Sequence, residues 1–268
     1  MIKTTSGVLR FARFGYTAKG VVYVIVGWLA IELALGTGGS TTGKRGAIYE
    51  IASQRYGMIL LGFMAFGLFC YACWRLLSGI MDLEAEGSDK KAIIKRIGHV
   101  ISGSFYGSLG LLAVNIIIGA RLSGSGSGST QTLTARLMAE PYGRWLAGIV
   151  GAIVIAVGIE QFHRAYRCTF LKSLRLHEMS ITERTWAERL GRLGYAARGV
   201  VYALIGSFLI QAAWQHDSSE VGGLNKALGT LSRQPYGPWL LGTVALGLVC
   251  YGIFSFVQAW YRSLPGRV

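Results

Sequence analysis

Six long apolar stretches, at about residues 14–36, 58–80, 98–120, 144–166, 194–216 and 238–260, constrain this chain more than any other feature. Each matches the roughly 20 residues that a helix needs to cross the hydrocarbon core of a bilayer. In that solvent every backbone amide must find its partner inside the chain, so each stretch is expected to be a helix. The stretches are rich in Gly and almost free of Pro, which suits closely packed helices. Composition points the same way. Charged residues make up 15% of the 268, where a soluble domain carries about a quarter. They are gathered in bands between the apolar runs. The first run is long enough to span and lacks a small-residue cleavage site, so it reads as a helix rather than a signal peptide. Cys70, Cys73, Cys168 and Cys250 are too few for a disulfide framework and read as small buried hydrophobes.

The basic residues give a direction. Lys3, Arg10, Arg13 and Lys19 precede or open the first span, and further groups lie between spans two and three, between four and five, and after span six. Together these hold 19 of the 27 Lys and Arg, so both termini are expected on the cytoplasmic side of an inner membrane. The formal charge of +14 then reflects topology and attraction to anionic headgroups rather than nucleic-acid binding.

A repeat runs through the chain. Arg13, Gly15, Gly20 and Tyr23 recur with identical offsets as Arg96, Gly98, Gly103 and Tyr106, and again as Arg192, Gly194, Gly199 and Tyr202. Gly27, Gly110 and Gly206 follow, and then one polar residue per copy: Glu32, Asn115 and Gln211. The second helices open at Tyr56-Gly57, Tyr142-Gly143 and Tyr236-Gly237. The repeats are read as 10–85, 93–170 and 188–264, each a helical hairpin with a short amphipathic segment in its outer loop (47–54, 132–139 and 224–233). Those segments are expected on the outer membrane surface. Two helices per copy keep all three hairpins in one orientation, so the expected fold is an all-α bundle around a pseudo-threefold axis normal to the membrane.

The strings RFGYTAKGVVYVIVG, RLGYAARGVVYALIG and QPYGPWLLGTVALGLVCYG resemble the bacterial family DUF1206, a domain of unknown function. The resemblance covers about residues 10–262 and implies three two-helix units in one membrane domain. Copy two departs from the pattern, with His99 for the Tyr of the Gly-Tyr pair and Ser102 where the other copies have Lys19 and Arg198. No catalytic residues follow from the resemblance.

Three constellations are candidates for function. Glu32, Asn115 and Gln211 would form one polar ring if equivalent positions face one axis. The ring reads either as a solute or ion site, with Glu32 accepting a cation or proton, or as three interhelical hydrogen-bonding groups. Arg13, Lys19, Arg96, Arg192 and Arg198 stand at the cytoplasmic mouth, either contacting an anionic ligand or lipid headgroup or simply signalling topology. Glu160 and His163 share a helix face and suit a proton relay, although the other copies carry Trp74 and Phe254 in place of Glu160. Neither Cys70-x-x-Cys73 nor the pair His99 and His163 has the context of a metal or haem site, so no metal or cofactor is expected beyond bound lipid.

No phosphate loop or nucleophile elbow is present, and an enzyme is not expected. The function expected is permeation of a small solute or ion at a site on the axis. The alternatives are a membrane scaffold or assembly factor and a lipid or hydrophobic-cofactor binder. Expected partners are membrane lipids with anionic headgroups, and a protein partner or a second copy.

Overall fold

The computed structural model describes residues 6–37, 44–53, 57–82, 89–119, 143–215 and 224–262. The segment 132–139, the Gly-Ser run at 124–129, Tyr56 and Tyr142 lie outside those residues. Eight α-helices are found among the described residues: α1 Ser6–Ala34, α2 Lys44–Ser53, α3 Gly57–Met81, α4 Lys90–Ile117, α5 Gly143–Arg167, α6 Ile181–Gln215, α7 Leu224–Ser232 and α8 Gly237–Tyr261. All but α2 and α7 are long and apolar enough to cross a membrane. The chain is a multi-pass membrane protein built on an internal repeat.

Local chemistry sets several boundaries. Ser180 and Glu183 form a reciprocal capping box, in which the Glu183 carboxylate accepts from the Ser180 amide at 2.8 Å and the Ser180 hydroxyl accepts from the Glu183 amide at 3.2 Å. This cap starts α6 well before the apolar run, so the helix reaches 35 residues. Two short 3₁₀ turns, Thr169–Ser173 and Leu176–Glu178, join α5 to α6. They are tied to the end of α8, where the Arg175 amide donates to the Tyr261 carbonyl at 2.7 Å. The Tyr236 backbone is left-handed (φ 61°), and Pro238 sits in the first turn of α8, where its missing amide costs nothing.

The strongest interfaces join successive copies. α3 packs on α4, α5 on α6, and α8 returns to pack on α1. These three interfaces use equivalent residues. A Cβ at Gly20 would meet the Phe256 ring, one at Gly103 the Leu76 side chain, and one at Gly199 the Phe162 ring. Glycine is required because the helix backbones themselves approach: a Cβ at Gly20 would stand 2.9 Å from the Gly252 carbonyl oxygen.

Packing inside the hairpins is unequal. In copies one and three, α1 packs on α3 and α6 on α8. A Cβ at Gly15 would stand 2.5 Å from the Tyr71 Cα, and one at Gly194 2.6 Å from the Tyr251 Cα. Gly67 faces Ala18, and Gly247 faces Ala197 in the same way. Copy two places Ile153 at the position of Gly67 and Ile101 at that of Ala18. Two branched side chains cannot occupy a space shaped for a methyl group and a hydrogen. Among the described residues α4 and α5 share no such interface, and a Cβ at Gly98 would meet nothing within 4 Å.

The short helices differ from expectation. Ala47 and Ile48 in α2, and Ala227 and Leu228 in α7, are fully buried. α2 wedges against α1, α3 and α4, and α7 against α6 and α8. For these two helices the expectation of an apolar face laid on the membrane surface is therefore corrected. Their apolar faces bind protein rather than the membrane interface.

Candidate functional site

Glycine-mediated closure of copies one and three brings tyrosines from several helices into the middle of the bundle. Tyr71 meets Tyr16 at 5.2 Å and Tyr106 at 4.7 Å between ring centroids, all edge to face. Tyr251 meets Tyr23 at 4.8 Å and Tyr195 at 5.4 Å in the same manner. Edge-to-face pairs of this kind suit the ring quadrupole.

Cations are held among these rings. Lys19 on α1 is 5% exposed. Its ammonium donates to the Tyr251 hydroxyl at 2.6 Å and lies 4.7 Å from the centre of that ring and 5.4 Å from those of Tyr16 and Tyr71. Arg198 on α6 donates to the same Tyr251 hydroxyl and, at 2.8 Å, to that of Tyr202. Its guanidinium carbon lies 4.4 Å from the centre of the Tyr251 ring, and its Nε is buried with no acceptor. Lys44, the first residue of α2, reaches in between Tyr23, Phe105 and Tyr106 at 4.8, 4.9 and 5.0 Å.

The sign of the charge is one-sided. The charged side chains that bear most strongly on Lys19 are Arg198, Arg75, Lys44 and Arg262, all positive. Among the described residues none of Lys19, Lys44 and Arg198 forms an ion pair with a carboxylate. Ring faces offset part of the cost of burying a cation. They leave the mutual repulsion uncompensated, and buried charges normally carry a counter-charge. Chemically, the cluster is a set of N–H donors and Tyr hydroxyls suited to an anion.

Of the five basic residues singled out in the sequence, the structure brings only Lys19 and Arg198 together. Arg96 caps the end of α3 by donating to the carbonyls of Gly79 at 2.8 Å and Ile80 at 2.7 Å. Arg192 pairs with Glu188 at 2.8 Å and donates to the Cys168 sulfur. Arg13 is exposed. Glu160 pairs with Arg164 at 2.9 Å rather than with His163, and both Glu160 and His163 are exposed, so a relay between them is not formed.

The polar ring is also corrected. Glu32 accepts from Trp28 Nε1 at 2.9 Å, Asn115 is half-buried and Gln211 is exposed. No hydrogen bond or contact among the described residues joins the three. The reason is helical phase. Each lies nine residues beyond Tyr23, Tyr106 or Tyr202, which at 3.6 residues per turn is two and a half turns, the opposite face. The tyrosines point inward, so the polar residues point away. Tyr71, Tyr106, Tyr195, Tyr251 and Lys44 were not singled out as site residues. The recurrence of Tyr23, Tyr106 and Tyr202, and of Tyr71 as Tyr251, was the signal that carried them.

Six helices long and apolar enough to span a membrane, in repeated pairs around a part-buried cationic cluster, define a multi-pass integral membrane protein of internal two-helix repeats. The chain belongs to the family described as Domain of Unknown Function (DUF1206), which matches residues 14–82, 97–167 and 193–262. It is similar to the uncharacterized protein YxxB of Bacillus subtilis (strain 168), with 34% identity over 262 residues, covering 98% of this chain and 94% of that protein. No solved structure matches.

Proposed function

We propose that this chain is a permeation protein for a small anion, with its site at Lys19, Arg198, Lys44 and the tyrosines around them. One observation carries this reading: three cations are drawn together inside the bundle, and among the described residues none of them pairs with a carboxylate. An ionisable group at membrane depth is costly and faces a pathway or a partner by default. The equivalent glycine contacts at α3–α4, α5–α6 and α8–α1 support a pseudo-threefold arrangement, with the cluster on its axis. The bias of basic residues supports cytoplasmic termini in a bacterial plasma membrane. On this reading the protein performs no covalent chemistry and needs no cofactor.

The test is flux from proteoliposomes loaded with chloride, nitrate or phosphate, comparing wild type with Lys19→Gln and Arg198→Gln. Wild type should release at least one of these anions above empty vesicles. Each variant should slow release by at least about tenfold, since a unit charge at 4 Å is worth ~4 kcal/mol at an effective dielectric constant of 20. Flux equal to empty vesicles for every anion, or equal in wild type and both variants, contradicts the reading.

A second reading, a membrane scaffold, is favoured by the exposed apolar faces of copy two. Ile101 and Ile153 are 65% and 57% exposed and offer a surface to a protein partner or a second copy. Crosslinking in native membranes would reveal such a partner.

A further inference from the structure

Contacts string the spanning helices in the order α4, α3, α1, α8, α6 and α5, each packed on the next. The two ends of that string, α4 and α5, share no such interface among the described residues. The faces left unpacked are those that close the other hairpins. Ile101 and Phe105 on α4 stand at the positions of Ala18 and Val22 in copy one and of Ala197 and Val201 in copy three, all of them buried. Val150, Ile153 and Val157 on α5 stand at those of Met64, Gly67 and Tyr71, and of Val244, Gly247 and Tyr251, again all buried. In copy two the same positions are exposed, Phe105 by 44% and Val157 by 41%. Branched and aromatic side chains therefore wall a lateral opening between α4 and α5.

The opening leads to the cation cluster. Phe105 lines it and also lies 4.9 Å from the Lys44 ammonium. Tyr71 and Tyr251, the counterparts of Val157, both hold Lys19 against their rings, so Val157 stands at the depth of the cluster. Lys19 is buried, whereas Lys44 and Arg198 are half-buried. The depth is that of hydrocarbon. Lys19 lies seven residues, about 10 Å, inside the start of its span, and Val157 lies ten residues, about 15 Å, from the end of its own on the same side.

A ligand entering here comes from the bilayer interior. The walls take an apolar chain, and the cations and Tyr hydroxyls at the inner end take a negative head. That head must first cross hydrocarbon. A carboxylic acid does so in its neutral protonated form and ionises beside the cations, whereas a phosphodiester stays charged throughout. The apolar face of a second protein chain would cover the walls and leave the cations uncompensated. We infer that the opening admits a long-chain fatty acid from the bilayer, with its carboxylate at Lys19 and Arg198 and its chain between α4 and α5. The inference rests on the cluster's taking an anion, and adds the chain that this anion carries and the side from which it arrives.

The test is photolabelling of the full-length protein in phosphatidylcholine nanodiscs with hexadecanoic acid bearing a diazirine on its chain. Wild type should give a saturable adduct on α4 or α5, displaced by unlabelled hexadecanoate but not by hexadecanol. Lys19→Gln and Arg198→Gln should each weaken labelling by about tenfold, the scale of one hydrogen bond to a charged group. Val157→Trp fills the opening from an exposed position and should abolish the adduct with thermal unfolding unchanged. Ile101→Ala with Ile153→Gly, the small pair of the closed copies, serves the same purpose if the first variant misfolds. Adducts spread over all lipid-facing helices, or equal displacement by hexadecanol, overturn the fatty acid. If anion flux from proteoliposomes still falls in Lys19→Gln in that case, the cluster takes a free anion only and the permeation reading survives. Flux insensitive to Lys19→Gln removes both.

Discussion

Copies one and three close, and copy two does not, although all three share the same glycines on their first helices. The difference lies in what faces those glycines. Gly15 and Gly194 receive the backbones of Tyr71 and Tyr251, whereas Gly98 faces open space, with Val157 at the equivalent position on α5. In the most apolar stretches of α4 and α5, 28% and 22% of residues are buried, against 39% in α6 and 50–56% in α1, α3 and α8. A glycine permits close approach but does not cause it. The small pair one turn away, Gly67 on Ala18 or Gly247 on Ala197, and the tyrosine that follows Gly67 or Gly247 are also needed. The cation cluster sits where the two closed copies meet, with copy two contributing Tyr106 and Phe105 from one helix.

The glycine series gives the sharpest break. Gly15→Ala and Gly194→Ala each push a Cβ onto a backbone and should cost ~1–3 kcal/mol in detergent unfolding. Gly98→Ala should be neutral or should stabilise by up to ~1 kcal/mol, because the helix gains propensity with nothing to collide against. Equal losses at all three positions would mean that copy two closes as well.

The tyrosines come next. Tyr251→Phe removes the hydroxyl shared by Lys19 and Arg198 and should cost about 2 kcal/mol, as for a hydrogen bond to a charged group. The equivalent Tyr71→Phe keeps its ring contacts and removes a hydroxyl that neither cation uses, so its loss should stay under about 1 kcal/mol. Equal losses would mean that the two rings serve only as packing.

A conversion is also available. Ile101→Ala with Ile153→Gly gives copy two the small pair of the other copies. Spin labels on the lipid-facing sides of α4 and α5 should then move closer, toward the ~8–10 Å axis separation of packed helices. An unchanged distance would show that these two isoleucines do not hold the hairpin open. The smallest effect is expected at Glu32→Gln, which touches Trp28 on the outward face. Its stability should change by no more than about 0.5 kcal/mol, and flux should match wild type.

The spans, the repeat and the family resemblance were legible because bilayer thickness and exact offsets leave few alternatives. Helical phase was equally legible. Nine residues separate Tyr23 from Glu32, so the two could not both face an axis, and the aromatic layer is the one that turned inward. The closure pattern could likewise be read by aligning Gly67 with Ile153. The burial of α2 could not, because a surface helix and a wedged one share the same apolar spacing. Nor could the meeting of Lys19 with Tyr251, 232 residues apart, since that contact depends on α8 returning to α1.

The central claim is that the Lys19–Arg198–Lys44 cluster, with Lys19 buried and the other two half-buried, takes an anion. Anomalous scattering from crystals grown in bromide tests it most directly. A bromide peak within hydrogen-bonding reach of Lys19 or Arg198, absent from the Lys19→Gln protein, is the predicted result. Bromide peaks confined to exposed surface arginines, with none at the cluster, would contradict it.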